Sequence, residues 1–221
     1  MKNEYLYDRF NFTEEYKKEI IEMLRHNTNV EIGGYRLWDG QRTHLMQSPW
    51  ELTDFIFALK KHETNTGNKL NSFLEVGFAA GANNSIINKF FNFKNIVGLD
   101  LFSSSLNSAN LIGNMFHKNL SLICGNTRSD YVKDIANKLG PYDLIFIDAD
   151  HTYEGVKMDF NNYLPMLSAG GVIGFHDVEC PDWTGINKFW NELESTNKYN
   201  MQKFVKKGFS LQYGIGMLTV K

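Results

Sequence analysis

The chain has 221 residues, of which 43% are hydrophobic, 22% charged and 14% aromatic, and its formal net charge is −2. This length and composition suit one globular domain that buries a sizeable core. The slightly negative charge gives no reason to expect binding to nucleic acid or to an anionic membrane surface.

The N-terminal residues MKNEYLYDRF lack the apolar stretch of a signal peptide, and no window of the chain resembles a membrane span of roughly 20 apolar residues. The two cysteines, Cys124 and Cys180, match no metal-binding or redox spacing. We therefore expect a cytoplasmic protein that does not contact a membrane. The oligomeric state is left open, with a homo-oligomer among the options.

Two helices are predicted ahead of the first strand. Residues 13–26 repeat apolar side chains at helical spacing, which predicts one buried face. That face consists of Tyr16, Ile20, Met23 and Leu24. The segment SPWELTDFIFALKKH predicts the second helix, because Ser48 suits the N-cap and Glu51 follows three residues later, as in a capping box. Between the helices, Gly33 and Gly34 favour a short hairpin.

From about residue 71, short apolar runs alternate with segments long enough for a helix. The runs are SFLEVG, NIVGLD, LSLICG, YDLIFID and GGVIGFHD. Near-continuous apolar runs are typical of parallel strands that are covered on both faces, so the pattern predicts a doubly wound α/β sheet. The last runs, NMQKFVKKGF and LQYGIGMLTVK, predict an antiparallel hairpin that completes seven strands. We expect one domain over residues 1–221, with an N-terminal cap at 1–65 and a ligand-binding core at 66–221.

Polar residues mark the ends of the first two strands, where ligands bind in an open α/β sheet. Gly77 and Gly81 would let the backbone approach a ligand, and Glu75 is a carboxylate inside an apolar strand. Asp100 ends the second strand, where an acid can accept both hydroxyls of a ribose. The glycines read E-x-G-x-x-x-G. The G-x-G-x-x-G pattern that holds the pyrophosphate of NAD is absent, which disfavours a nicotinamide-linked oxidoreductase.

FLEVGFAAG and Asp100 resemble the first motif and the second-strand acid of the class I S-adenosylmethionine-dependent methyltransferases. The resemblance covers about residues 45–221 and implies S-adenosylmethionine as the cofactor. It implies that the ribose contacts Asp100. The residues expected to border the methionine part are Glu75, Gly77 and Gly81. Those expected on the adenine side are Gly125, Asn126 and Thr127.

The fourth and fifth strands end in a second group of ionisable residues. Asp148, Asp150 and His151 follow one strand, and His176 and Asp177 follow the next. Because neighbouring parallel strands end at the same edge of a sheet, we expect these side chains to meet. Five such groups rarely serve packing alone, although a structural network of aspartates and histidines is the alternative. Asp150 is also expected to help cap the following helix.

The D-x-D-H…H-D pattern resembles that of the metal-dependent, catechol-type O-methyltransferases and related small bacterial methyltransferases. That resemblance implies Asp148, His176 and Asp177 as ligands of a divalent cation, with Asp148 also bordering the cofactor. His151 stands where the family has a catalytic lysine. The pair His176-Asp177 replaces the family's Asp-Asn, so Mn²⁺, Fe²⁺ or Zn²⁺ become options beside Mg²⁺. A histidine base suits proton removal near neutral pH.

The resemblance implies O-methylation of a small molecule, whose identity the sequence does not give. A catechol, a sugar hydroxyl and a natural-product phenol all remain open. The candidate walls of an acceptor pocket are Trp38, Trp50, Trp183 and Trp190. Two further alternatives are an iron-dependent oxygenase, in which two histidines and a carboxylate form a facial triad, and a non-catalytic module that binds S-adenosylmethionine.

Overall fold

The computed structural model describes residues 6–27, 45, 47–79, 81–101, 119–208 and 213–221. Its α-helices are α1 (Glu14–Asn27), α2 (Pro49–Thr66), α3 (Ala82–Phe90), α4 (Asp130–Leu139), α5 (Tyr153–Tyr163) and α6 (Thr184–Ser195). Its strands are β1 (Ser72–Val76), β2 (Asn95–Asp100), β3 (Leu120–Cys124), β4 (Tyr142–Ile147), β5 (Leu167–Phe175), β6 (Tyr199–Phe204) and β7 (Ile215–Val220). Short 3₁₀ helices occupy Tyr7–Arg9 and Leu164–Met166.

The strands form one seven-stranded sheet in the order β3-β2-β1-β4-β5-β7-β6. Strands β1 to β5 run parallel, and β7 pairs antiparallel with both β5 and β6. The predicted doubly wound sheet and its closing hairpin are therefore confirmed. The hairpin predicted at Gly33 and Gly34 lies outside the described residues.

Successive strand residues bury their side chains on opposite faces of the sheet, because side chains alternate along a strand. Phe73 packs into a cluster with α1, α2 and α3, whereas the next residue, Leu74, packs into a cluster with α4, α5 and α6. Phe146 and Ile147 divide in the same way between the two clusters. Both faces of the parallel strands are thus apolar, which explains their near-continuous hydrophobic runs.

Helix α1 buries Tyr16, Ile20 and Leu24, as the helical spacing predicts. Helix α2 begins after Ser48, but the predicted capping box does not form: Ser48 makes no side-chain cap bond. The Glu51 carboxylate instead accepts hydrogen bonds from the backbone N–H of Lys206, at 2.8 Å, and of Gly214, at 3.0 Å. Glu51 therefore bonds the loop between β6 and β7 instead of the N-terminus of its own helix. No described helix combines the length and apolar character needed to cross a membrane.

Candidate active site

The carboxyl ends of β1 and β4 meet at Gly77. Gly77 has φ +93°, and a Cβ atom built on it would lie 1.9 Å from the backbone carbonyl oxygen of Asp148. Any side chain at this position would push the two strand ends apart. The close approach of the backbone after β4 therefore already requires glycine at position 77. A contact between Gly77 and a cofactor stays a prediction.

Glu75 lies beneath this turn and is 1% exposed. Its Oε1 accepts a hydrogen bond from Asn83 Nδ2 at 2.7 Å, and its Oε2 is buried without a partner among the described residues. Burial raises the pKa of Glu75 to about 8, although the hydrogen bond from Asn83 opposes the shift. The carboxyl group is therefore mostly protonated at neutral pH, and a nearby cationic group would favour its ionised form.

Asp100 lies at the end of β2 and faces the turn that follows β1. Its Oδ2 accepts a hydrogen bond from the Ala79 backbone N–H at 2.6 Å, which ties the turn to the second strand. Gly81 has φ +79° and directly precedes α3, where a residue with a side chain would be strained. Asp100 and Ala79 line a cavity at this edge of the sheet, whereas Gly81 does not.

The turn after β3 is fixed from below by α5. Thr127 donates its hydroxyl hydrogen bond to Asp159 Oδ1 at 2.7 Å, and the Tyr163 hydroxyl donates to the Thr127 carbonyl oxygen at 2.6 Å. These contacts present Asn126 and Thr127 to the same cavity, while Gly125 is not among its lining residues. The adenine side predicted from the sequence thus borders the cavity through two of its three residues.

Four ionisable side chains meet where β4 and β5 end. Nε2 of His151 lies 3.5 Å from Asp148 Oδ1 and 3.0 Å from Asp177 Oδ2. Nδ1 of His176 lies 3.4 Å from Asp148 Oδ2 and 3.4 Å from Asp177 Oδ2. Each histidine therefore contacts both carboxylates. The juxtaposition that the sequence predicts is present, and the assigned roles of ligand and base stay predictions.

Burial and charge act in opposite directions on this cluster. Burial by itself would lower the pKa of His151, but the Asp148 and Asp177 carboxylates raise it to about 9. The same carboxylates hold the pKa of His176 well above its usual range, again against burial. In turn the two imidazoles hold the pKa of Asp148 and of Asp177 below the ordinary value of an aspartate. Two imidazolium groups therefore balance two carboxylates at neutral pH.

The donor atoms of the cluster suit a divalent cation. Asp148, His151 and Asp177 each offer one ligand atom, and these atoms lie within 4.8 Å of one another. Asp177 Oδ1 and His176 Nε2 are buried without hydrogen-bond partners among the described residues. Two carboxylates with an imidazole form a donor set of intermediate softness, which several divalent transition metals accept.

The backbone at Asp177 is left-handed, with φ +63°. A residue with a side chain adopts this conformation at a cost, and such residues concentrate at functional sites. Backbone bonds on either side hold it: the His176 N–H donates to the Ile147 carbonyl oxygen at 3.2 Å, and the Val178 N–H donates to the Gly214 carbonyl oxygen at 3.2 Å. These two bonds hold the backbone of the turn that carries Asp177.

One cavity of about 950 Å³ connects the two groups of predicted site residues. Asp100 and Asn126, at the ends of β2 and β3, line one part of it, and Gly77 lies between this part and Asp148. The residues that line the other end include Asp148, His151, His176 and Asp177. Glu75 lies beneath the cavity lining and is not part of it.

Asp150 supports the start of α5, as the sequence predicts. Its Oδ1 accepts hydrogen bonds from the backbone N–H and the hydroxyl of Thr152, at 2.9 and 2.7 Å. The Thr152 hydroxyl in turn accepts from the Gly155 N–H at 3.0 Å and so caps the helix. Asp150 also pairs with Arg128, which links the turns after β3 and β4 along the cavity wall.

Among the predicted acceptor walls, Trp183 lines the cavity and Trp190 does not. The Trp183 ring stacks on the His151 imidazole with 4.6 Å between ring centroids, and Trp183 is 44% exposed. Trp190 is buried in the core, and Trp50 lies outside the cavity lining. Trp38 lies outside the described residues.

Among the residues that sequence reasoning missed, two contact the ionisable cluster directly. Gln47 donates from Nε2 to Asp148 Oδ2 at 2.9 Å, although 101 positions separate them. Tyr213 stacks on His176 with 5.7 Å between ring centroids and lines the cavity. Both lie outside strand ends, so no strand pattern could have indicated them. For Gln47, the one signal in the sequence is that a polar residue directly precedes the second predicted helix.

A family model described as a methyltransferase domain matches residues 71–178. The O-methyltransferase from Bacillus cereus, solved in complex with SAH, has a TM-score of 0.64 at 17% identity, covering 98% of this chain and 95% of that one. The O-methyltransferase TomG from Streptomyces achromogenes, involved in tomaymycin synthesis and solved with SAM, has a TM-score of 0.61 at 14% identity, covering 95% and 100%. MycE methyltransferase from the mycinamycin biosynthetic pathway, in complex with Mg and SAH, has a TM-score of 0.54 at 16% identity, covering 77% and 54%.

Two curated proteins are also similar, and both are uncharacterized. A protein of the Acanthamoeba polyphaga mimivirus is 28% identical over 144 residues, which is 60% of this chain. A protein of Sinorhizobium fredii is 36% identical over 77 residues, which is 34% of this chain. The match spans 65% of the length of the first and 8% of the second.

The solved structures agree with this chain in fold, and the family model covers β1 to β5 with the turns that carry the cluster. Residues 71–178 thus match a methyltransferase-domain model, and the chain shares its fold with the solved methyltransferase structures.

Proposed function

We propose that the chain transfers the methyl group of S-adenosylmethionine to a hydroxyl group of a small molecule, with the help of a divalent cation. The observation that carries this proposal is the cluster of two carboxylates and two imidazoles at one end of a cavity whose other end is bordered by Asp100. A cavity of about 950 Å³ has room for the cofactor and a small acceptor side by side. The complex of MycE with Mg and SAH supports this combination, and the complex of TomG with SAM supports the cofactor.

The residues expected to hold the cofactor suit its chemistry. S-adenosylmethionine supplies a methyl group on a positively charged sulfur. The Asp100 carboxylate suits the hydroxyls of the ribose. Glu75 stays assigned to the methionine side, with its Oε2 buried without a partner among the described residues and outside the cavity lining. Gly77 and Gly81 stay assigned to that side, and the adenine side stays assigned to Gly125 and Asn126.

Asp148 and Asp177 would hold the cation, with His176 as a third ligand or as a group that orients the two carboxylates. His176 suits this place because its side chain is 4% exposed and lies 3.4 Å from both. A divalent cation held there would lower the pKa of a nearby acceptor hydroxyl. The imidazole in the donor set is compatible with Mn²⁺, Fe²⁺ or Zn²⁺ as well as Mg²⁺.

His151 would remove the proton of the acceptor hydroxyl. Its side chain is 27% exposed and lines the cavity, so it can exchange a proton with a bound molecule. With a pKa raised to about 9 by the two carboxylates, His151 is protonated at neutral pH. It becomes a base near pH 7 only when another positive charge compensates the carboxylates. Proton removal by His151 and cation binding are therefore coupled in this proposal.

Calorimetry with S-adenosylmethionine and SAH, with and without Mg²⁺ or Mn²⁺, tests the cofactor assignment. We expect binding at low micromolar concentration to the unchanged protein, weakened at least about tenfold in Asp100→Ala because the ribose hydroxyls lose their acceptor. Asp134→Ala is the matched control, since Asp134 is exposed on α4. No binding of either compound under any metal condition would contradict the proposed function.

The iron-dependent oxygenase is the second candidate, because two histidines and two carboxylates also contain a facial triad. The methyltransferase family match gives this alternative no support. Oxygen uptake that depends on Fe²⁺ and proceeds without S-adenosylmethionine would favour it.

A further inference from the structure

Gln47 is a buried amide that reaches the reaction end of the cavity. It is 4% exposed and lies directly ahead of Ser48, the N-cap residue of α2. Its Nε2 donates a hydrogen bond to Asp148 Oδ2 at 2.9 Å. A glutamine is seldom buried unless its amide is paired, so this contact accounts for its position.

The two oxygens of Asp148 have different neighbours. Oδ1 lies 3.5 Å from His151 Nε2, whereas Oδ2 lies 3.4 Å from His176 Nδ1 and accepts the bond from Gln47. The two histidines near Asp148 can carry a positive charge, whereas the Gln47 amide cannot. Gln47 therefore restrains the carboxylate without adding charge to the cluster. The bond to Oδ2 limits rotation of the carboxylate about its Cβ–Cγ bond.

The turn of α2 that follows Gln47 is anchored through Glu51. Glu51, four residues later, is 2% exposed and accepts the backbone N–H groups of Lys206 and Gly214 through its two oxygens. Gly214 also accepts the N–H of Val178, which follows Asp177 directly. The start of α2 is thus tied to the same backbone that positions Asp177, and Gln47 approaches Asp148 from a fixed point.

We propose that Gln47 is a positioning residue that orients the Asp148 carboxylate for cation binding. The part of this inference that concerns the cation rests on the proposed function. Groups that hydrogen-bond a metal ligand contribute roughly 10–100-fold to metal affinity, because they fix the direction of the ligand atom. Gln47 supplies this contact from outside the parallel strands and outside the family match at residues 71–178.

The test compares Gln47→Leu and Gln47→Met, which keep most of the volume but donate no hydrogen bond, with Gln202→Leu, which alters an exposed glutamine on β6. Mn²⁺ is titrated into each full-length protein by calorimetry, and SAH is titrated separately. We expect the Mn²⁺ affinity to fall about tenfold in both Gln47 variants and to stay unchanged in the control, with SAH affinity within about twofold throughout. Unchanged Mn²⁺ affinity in the Gln47 variants, or an equal loss of Mn²⁺ and SAH binding, would overturn the proposal.

A double-mutant cycle separates the failure of this inference from failure of the proposed function. If the unchanged protein binds no Mn²⁺, the cation part of the proposed function fails, and the Gln47–Asp148 contact is then measured by urea unfolding. Gln47→Leu, Asp148→Ala and the double variant should show a coupling of at least about fivefold in the unfolding equilibrium constant. Additive effects would show that Gln47 does not restrain Asp148, and would overturn the positioning role.

Discussion

Replacing Glu75 by glutamine tests the electrostatics of the cofactor end. Burial raises the pKa of Glu75 from an ordinary 4.5 to about 8, so the folded protein holds this proton to a higher pH than the unfolded chain does. Above about pH 4.5 the unfolded state therefore binds fewer protons, and the free energy of unfolding falls as pH rises, until the folded form also ionises near pH 8. Each pKa unit of difference corresponds to about 1.4 kcal/mol.

From these values, Glu75 costs the folded state about 0.8 kcal/mol at about pH 5 and about 5 kcal/mol at about pH 9. Glutamine keeps an oxygen that can accept the bond from Asn83, but it does not ionise. The difference in unfolding free energy between Glu75→Gln and the unchanged protein should therefore grow in favour of the variant by about 4 kcal/mol over this pH range.

Urea unfolding of the cofactor-free protein at several pH values measures this difference. Glu194→Gln, at an exposed position on α6, is the control, and its difference from the unchanged protein should stay nearly constant with pH. A pH-independent offset in Glu75→Gln is compatible with the reasoning, because the new amide is buried. The reasoning is refuted if the difference for Glu75→Gln changes by less than about 1 kcal/mol between the two ends of the range.

Three further outcomes follow from the site geometry. Gly77→Ala should lower the free energy of unfolding, measured in urea, by at least about 2 kcal/mol more than Gly208→Ala does. Both glycines have φ +93°, but only at Gly77 would the added Cβ lie 1.9 Å from a backbone carbonyl oxygen. Equal losses in the two variants would contradict this. The imidazole of His151 should titrate by NMR with a pKa of about 9 without added metal and at a lower pH with Mg²⁺ or Zn²⁺, and an unmoved midpoint would argue against a shared cation site. Glu51→Ala should lower the free energy of unfolding by about 3 kcal/mol, because two backbone N–H groups lose their acceptor, whereas Glu194→Ala should change it little.

The sheet and the meeting of Asp148 with Asp177 could be predicted because they depend on patterns that repeat along the chain. Apolar runs at strand length indicate buried strands, and the ends of adjacent parallel strands meet at one edge whatever their detailed packing. That topology places the turns after β4 and β5, which carry the cluster, beside each other at the edge where the cavity lies.

Residues whose role depends on a distant partner could not be predicted in the same way. Glu51 matches a capping box, but its carboxylate bonds backbone groups more than 150 positions away. Trp183 and Trp190 are both candidate walls from the sequence, yet Trp183 lines the cavity and Trp190 is buried in the core. The spacing of residues along the chain does not show whether a side chain points towards solvent, a distant neighbour or a cavity.

The sequence by itself determined where the strands lie along the chain, the antiparallel hairpin that closes the sheet, and the two groups of polar residues at the strand ends. Local hydrophobic period and chain connectivity are sufficient for these features. Only the tertiary structure decided that Gln47 contacts Asp148, that Gly77 is required by the Asp148 carbonyl, and that both histidines contact both carboxylates. These features depend on distances of a few ångströms between segments far apart in the chain, and such distances are set only when both faces of the sheet are packed.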